Sequence, residues 1–284
     1  MESLSTIPLD QAFALVAALL LAGALTGVLS GLFGVGGGAV LVPVLFEVFG
    51  FTGVDETIGL PLAIGTSLAV IIPTSIRSFR GHHARGAADL SILRRWAVPI
   101  LIGVMMGAVI ARYADPWVFL VVFIGVSVVN AIKLLFGKES WRLSDTLPSL
   151  WPMSLIGTVI GLLSSLMGVG GGVMATMVQT LCGRPILGSI ATSSGVGVLI
   201  SIPATLGYIY AGWPKMAAEP AVLPAFSLGY VSLVGLALLL PMTVLTAPIG
   251  VRIAHAIPKR YLEIGFGLFL LIVSARFFAE LLGL

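Results

Sequence analysis

GVLSGLFGVGGG at residues 27–38 and GLLSSLMGVGGG at residues 161–172 are identical at nine of twelve positions. Unrelated segments of that length share roughly one or two. Three consecutive glycines after an apolar run remove side chains and loosen the backbone, so a helix is expected to end in each GVGGG. A second alignment, at an offset of 143, places Gly86 on Gly229, Leu90 on Leu233, Gly107 on Gly250 and Phe123 on Phe266. The duplication therefore extends over most of each half. Thr66-Ser67 and Thr192-Ser193 occupy similar places in the two halves.

Outward from these motifs the chain is almost wholly apolar. Of 284 residues 58% are hydrophobic and 10% charged, a balance that excludes an ordinary soluble domain. The runs are apolar on every side, which excludes the alternation of a membrane β-barrel. The first run has Glu2 and Asp10 where a secretory signal would carry Lys or Arg, so it is read as a membrane segment. Breakers and apolar runs delimit ten segments, at 11–33, 38–51, 58–77, 93–113, 117–136, 150–167, 171–182, 187–211, 226–256 and 261–282. The second and seventh are too short to span comfortably and read as half-helices of re-entrant hairpins.

Five segments per half place the halves in opposite orientations. The fold expected is an all-α integral membrane protein of two inverted-topology repeats, with broken or re-entrant helices at the glycine motifs. Residues 1–137 form the first repeat, 138–149 a cytoplasmic linker and 150–284 the second. The basic residues agree with this count. Arg77, Arg80, Arg85, Arg94, Arg95, Lys133, Lys138, Arg142, Arg184, Arg252, Lys259 and Arg260 fall on one side, and only Arg112, Lys215 and Arg276 on the other. The inner membrane, with both termini outside the cytoplasm, follows as the expected placement. Dispersed in this way, the basic residues form no nucleic-acid-binding surface.

A backbone broken at membrane depth must face protein or a watery cavity, and the helix that restarts beyond it presents free N–H groups that suit an anion. The candidate substrate-binding residues are therefore Gly36, Gly37 and Gly38 with Gly170, Gly171 and Gly172. Ser30 and Ser164, at equivalent positions, add hydroxyl donors. So do Thr66, Ser67, Thr192 and Ser193 if their helices are also interrupted near the start, and Gln179 offers an amide to an anion's oxygen, with interhelical packing as its competing reading. The competing reading of the glycines is close helix packing, and of the hydroxyls helix-to-helix hydrogen bonding. A side chain at Gly37 or Gly171 is expected to obstruct the anion without disturbing the fold.

Glu47 reads as an interfacial residue before a proton-coupling one. His82 and His83, among arginines, read as a solvated loop, Asn130 as interhelical glue and Cys182 as an apolar filler. Neither histidine lies in a metal-binding pattern, and no catalytic constellation or cofactor motif is present, so no cofactor, metal or enzymatic activity is expected.

The sequence resembles the TauE/SafE sulfite exporter family, also called the 4-toluene sulfonate uptake permease family. The resemblance rests on GLFGVGGGAVLVPVL at residues 31–45, AIGTSLAV at 63–70, RGHHARGAADL at 80–90, and GVGGG with IATSSGV in the second half. It covers essentially the whole chain and implies a multi-pass carrier of sulfite, organosulfonates or related anions. Ala175, Thr176 and Met177 stand where the first half has Leu41, Val42 and Pro43, so the two half-sites need not contribute equally.

The function expected is secondary transport of a small sulfur-containing anion by alternating access, with a passive anion channel or an intramembrane enzyme as alternatives. Its partners are then the anion and the lipid bilayer, with a homo-oligomer left open. An interior-negative potential favours anion exit by about 2.3 kcal/mol per charge per 100 mV, which favours export. In a Cys182→Ser background, a cysteine at Ser140 is expected to react with impermeant thiol reagent only from the cytoplasm, and one at Thr6 only from outside. Labelling of both from the same face would overturn the ten-segment count.

Overall fold

The computed structural model describes residues 9–33, 37–137, 144–219, 222–254, 256 and 258–282. They form ten helices: α1 (Leu9–Phe33), α2 (Gly38–Phe51), α3 (Glu56–His83), α4 (Leu90–Tyr113), α5 (Pro116–Phe136), α6 (Leu150–Met167), α7 (Gly172–Leu181), α8 (Ile186–Ala218), α9 (Leu233–Ala254) and α10 (Lys259–Leu281). Among the described residues, eight of these are long and apolar enough to cross a membrane. The exceptions are α2, with 14 residues, and α7, with 10. At 1.5 Å per residue they reach about 21 and 15 Å, short of a hydrocarbon core of about 30 Å. Each follows a GVGGG, so the helical run is broken at both glycine motifs, as expected.

Some boundaries move. α3 continues to His83 and α8 to Ala218, beyond the expected 77 and 211. No residue between 77 and 83 forces a stop, and a Cβ placed on Gly81 would meet the Val251 side chain only at ordinary contact distance, 3.4 Å. α9 begins at Leu233 instead of 226, because residues 227–232 close a tight turn. Ser227 pairs with Ser232 there, the Leu228 N–H donates to the Val231 carbonyl at 2.8 Å, and Gly229 has a φ of 55°. The Tyr230 N–H donates to the Tyr208 carbonyl at 3.2 Å, so this turn is held against α8 at a point where a helix would not fit.

Lipid supplies no hydrophobic force between helices, so their contacts rest on close approach of small residues. α1 packs chiefly on α9, and α4 on α6. A methyl group at Gly27 would overlap the Thr243 carbonyl, and one at Gly161 would overlap the Ile100 carbonyl. At offsets of 134 and 143 these are the same contact made twice, once with each half supplying the glycine. Caps repeat in the same way. The Asp89 N–H donates to Thr192 Oγ1 at 2.9 Å, and the Ser232 N–H to Thr66 Oγ1 at 2.9 Å. Asp89 in turn caps α4 by accepting from Ser91 N–H, and Ser232 Oγ accepts from Gly235 N–H at the start of α9. Such pairing is consistent with the inverted repeats expected from the sequence.

Basic residues gather at one end of the bundle, where they meet helix C-termini. Lys133 Nζ donates to Thr180 Oγ1 at 2.7 Å and to the Met177 carbonyl at 3.2 Å, on the last turn of α7. Arg85 reaches the Val251 carbonyl in α9, and Arg260 the carbonyls of Leu134 and Leu135 in α5. Cations complete the carbonyls and oppose the negative end of each helix dipole there. Arg184 pairs with Asp89 at 3.6 Å at this same end. Glu47 pairs with Arg276 at 3.0 Å near the far end of α10, which supports its interfacial reading. His82 departs from expectation. It is 0% exposed, in the last turn of α3, with Nε2 3.0 Å from the Gly31 carbonyl. His83, one residue on, is exposed and stacked on Phe79.

Gly161→Ala and Gly27→Ala are each expected to destabilise the protein by about 1–3 kcal/mol, since the added methyl meets backbone that cannot rotate aside. Gly125→Ala and Gly265→Ala, where nothing lies within 4 Å, should instead be neutral or gain up to about 1 kcal/mol of helix propensity. Thermal unfolding of the four purified variants in one detergent checks the contrast.

Candidate functional site

The two glycine motifs meet. α1 is described as far as Phe33 and α2 begins at Gly38, while α6 stops at Met167 and α7 restarts at Gly172. Gly37 and Gly171 precede the restarts with φ of 77° and 69°, a left-handed backbone that side chains resist. Neither restart has a side-chain cap, so the first-turn N–H groups of α2 and α7 keep their donors free of one. Gly38, in the first turn of α2, lies so close to the Gly168 carbonyl that a Cβ there would overlap it. That carbonyl also accepts a hydrogen bond of 2.9 Å from Ser67 Oγ. Backbone of one break is thus packed directly on backbone of the other, 130 residues away in sequence.

Ser164 Oγ lies 2.9 Å from where a Cβ on Gly171 would stand. Ser164 and Ser30 are both fully buried, and neither hydroxyl has a hydrogen-bond partner among the described residues. Gly170 and Gly172 are buried beside Gly171. Gly36 lies outside the described residues. The other candidates are already engaged. α3 and α8 run unbroken through Thr66-Ser67 and Thr192-Ser193, so the interruption on which their candidacy depended is not met. Thr66 and Thr192 accept from backbone N–H groups, as described above. Gln179, 1% exposed, donates through Nε2 to Ser193 Oγ at 3.1 Å and to the Ala175 carbonyl at 3.0 Å, tying α7 to α8.

Several buried hydroxyls near the breaks escaped the sequence reading. Ser75 Oγ has no partner and lies 2.6 Å from where a Cβ on Gly197 would stand, and that same position is 3.5 Å from the Gly170 carbonyl. Ser201, its counterpart at the offset of 126 that relates Thr66 to Thr192, is likewise buried without a partner. That offset was the available signal for both. Thr26, whose methyl and carbonyl face Gly37, also carries an unpartnered hydroxyl.

Beside the second break a small cavity is lined by Val169 and Gly171, by Val173 and Met174 of α7, by Ala39 of α2 and by Ser127 and Asn130 of α5. The first turns of both short helices therefore border one space. Among the described residues, no charged side chain lines it. Each helix start contributes about half a positive charge, so the space is electropositive without holding a full cation.

A side chain at Gly37 would overlap Thr26, and one at Gly171 would overlap Ile200, in addition to straining a left-handed backbone. Substitution there perturbs the fold together with any anion, contrary to expectation. The hydroxyls separate the two roles. Thr66→Val and Thr192→Val are expected to cost about 1–3 kcal/mol of stability, because each strands a backbone N–H. Ser30→Ala and Ser164→Ala remove hydroxyls buried without partners and should leave stability unchanged or slightly raised. Thermal unfolding in the absence of anions checks both halves of this statement.

The family described as Sulfite exporter TauE/SafE matches residues 19–277. A probable membrane transporter protein of Haemophilus influenzae is 31% identical over 270 residues, covering 94% of this chain and 100% of that relative. A probable membrane transporter protein of Methanocaldococcus jannaschii is 29% identical over 254 residues, covering 87% and 89%. No solved structure matches.

Proposed function

This chain belongs to the sulfite exporter TauE/SafE family of membrane proteins, and from that premise we propose that it is a secondary transporter of small sulfur-containing anions, sulfite or an organosulfonate. The observation that carries the reading is the meeting of two helix restarts, at Gly38 and Gly172, around one uncharged cavity with the unpartnered hydroxyl of Ser164 beside Gly171. Tetrahedral and pyramidal sulfur oxyanions offer several acceptor oxygens in a small volume. N–H groups and hydroxyls satisfy these without a buried lysine or arginine, whose full charge would slow release.

Alternating access is supported by the doubled contacts. Halves at 1–137 and 150–284 that make the same α1–α9 and α4–α6 interfaces can rock about a shared centre and exchange which side is open. The gathering of Arg85, Arg184, Lys133 and Arg260 at one end supports a cytoplasmic placement of that end, in the inner membrane, with both termini outside. The membrane potential then favours export. A passive channel needs a continuous wet path, whereas the centre here is closed by the Gly38–Gly168 contact.

Proteoliposomes containing the purified protein are expected to show counterflow of labelled sulfite, thiosulfate, taurine or sulfoacetate, with at least one saturable, and no unitary currents in a planar bilayer. Ser30→Ala and Ser164→Ala should weaken the apparent affinity by about 0.5–1.5 kcal/mol, roughly two- to tenfold, with the protein intact. Absence of counterflow with every one of these anions would remove the substrate assignment, and wild-type affinity in both serine variants would remove the site.

A further inference from the structure

The last helix of each half, α5 and α10, carries a cation near its C-terminus, and each cation reaches the short helix of the other half. At the offset of 143 that places Phe123 on Phe266, Lys133 falls on Arg276. Lys133 Nζ, on α5, donates to Thr180 Oγ1 at 2.7 Å and to the Met177 carbonyl at 3.2 Å, near the end of α7. Asn130, expected as interhelical glue, instead donates to the Val126 carbonyl of its own helix at 2.7 Å. Arg276, on α10, pairs with Glu47 of α2 at 3.0 Å, and Phe277 beside it sets its ring edge-on to Phe46. At the offset of 134 that relates the glycine motifs, Thr180 falls on Phe46, the neighbour of Glu47. One contact is thus made twice with the halves exchanged, once at each end of the bundle.

Both short helices start at the centre, behind the left-handed Gly37 and Gly171, and run to opposite ends of the bundle. Each is therefore a lever with glycine at its root, where a hinge can absorb a change of backbone angle, and a cation at its tip. The cation also opposes the negative end of the short helix's dipole. Neither hold is strong. The Arg276 and Glu47 side chains are 49% and 40% exposed, and an ion pair so open to its surroundings contributes little. Lys133 holds neutral oxygens instead of a carboxylate. A contact that must break and re-form in every transport cycle has to be weak, and both of these are.

We infer that Lys133 and Arg276 are the two gate latches of the transport cycle, positioning residues that hold the tips of α7 and α2 without touching the anion. Release of Arg276 from Glu47 frees α2 and opens the centre toward the face where α10 ends, and release of Lys133 frees α7 and opens it toward the opposite face. This deepens the proposed function and rests on its alternating-access part. In a Cys182→Ser background, Ser164→Cys sets a single thiol at the centre, because Ser164 is fully buried beside Gly171. Its reaction rate with an impermeant thiol reagent is measured from each face, in right-side-out and inverted membrane vesicles. Arg276→Ala should raise the rate from the face where α10 ends roughly two- to fivefold and leave the other unchanged, and Lys133→Ala should do the converse. Glu47→Gln and Thr180→Val make smaller cuts at the same two contacts and carry the test if an alanine variant does not fold. Arg276→Lys and Lys133→Arg keep the charge and should keep the parent's rates. Contacts that only brace the fold would alter both faces alike or neither, and that result, or a thiol unreactive from both faces in every variant, overturns the latches. The readout needs no sulfur anion. Opposite-sided changes without counterflow of any sulfur anion would remove the cargo and leave the latches, and saturable counterflow with rates that show no sidedness would do the reverse.

Discussion

A broken helix inside a bilayer must find protein partners for its backbone, because the hydrocarbon offers none. In this molecule that requirement is met by setting the two breaks against one another. The Gly168 carbonyl, freed where α6 ends, takes the Ser67 hydroxyl, and the start of α2 closes over it at Gly38. α3 supplies Ser67 and is the most enclosed of the long helices, so its burial follows from serving the break. The short α2 and α7 both begin at these breaks, inside the bundle, where Gly38 and Gly172 are buried.

Around that centre the same solutions recur with the halves exchanged. Thr66 holds the N–H of Ser232 as Thr192 holds that of Asp89, and Gly27 meets the Thr243 carbonyl as Gly161 meets that of Ile100. Small residues let helix backbones touch, and threonine hydroxyls bind the N–H groups where α4 and α9 begin. These are structural duties, and they remove Thr66, Thr192, Ser193 and Gln179 from the set of groups with hydrogen-bonding capacity to spare. Among the described residues, buried oxygens left without a partner include those of Ser30, Ser164, Ser75, Ser201, Ser127, Asn130, Thr26 and Thr176.

Symmetry stops at the side chains around the glycine breaks and the cavity. Thr26 faces Gly37 where Ile160 approaches Gly171, and Ser127 and Asn130 correspond to Leu270 and Val273. A two-fold frame suits a carrier that must present the same site to two sides. An asymmetric lining suits a small anion that must be told from its neighbours, and both are compatible because lining side chains can diverge while backbone contacts are kept.

Hydropathy and glycine spacing determined, without any coordinates, that the chain is an all-helical membrane protein with ten segments, where its helices break, and how its basic residues are distributed. These are local properties: an apolar run must be helical in lipid, and a triple glycine weakens a helix wherever it lies. The ends of α3, α8 and α9 were less legible, because a turn such as 227–232 is held by contacts with α8 that no local window contains. Only the tertiary structure decided which hydroxyls are occupied. Thr66 and Ser67 look alike in sequence, yet each bonds a residue more than 100 positions away, 166 for Thr66 and 101 for Ser67, whereas Ser164 finds none. His82 was misread for the same reason: its burial comes from the Gly31 carbonyl, 51 residues earlier, brought to it by helix packing.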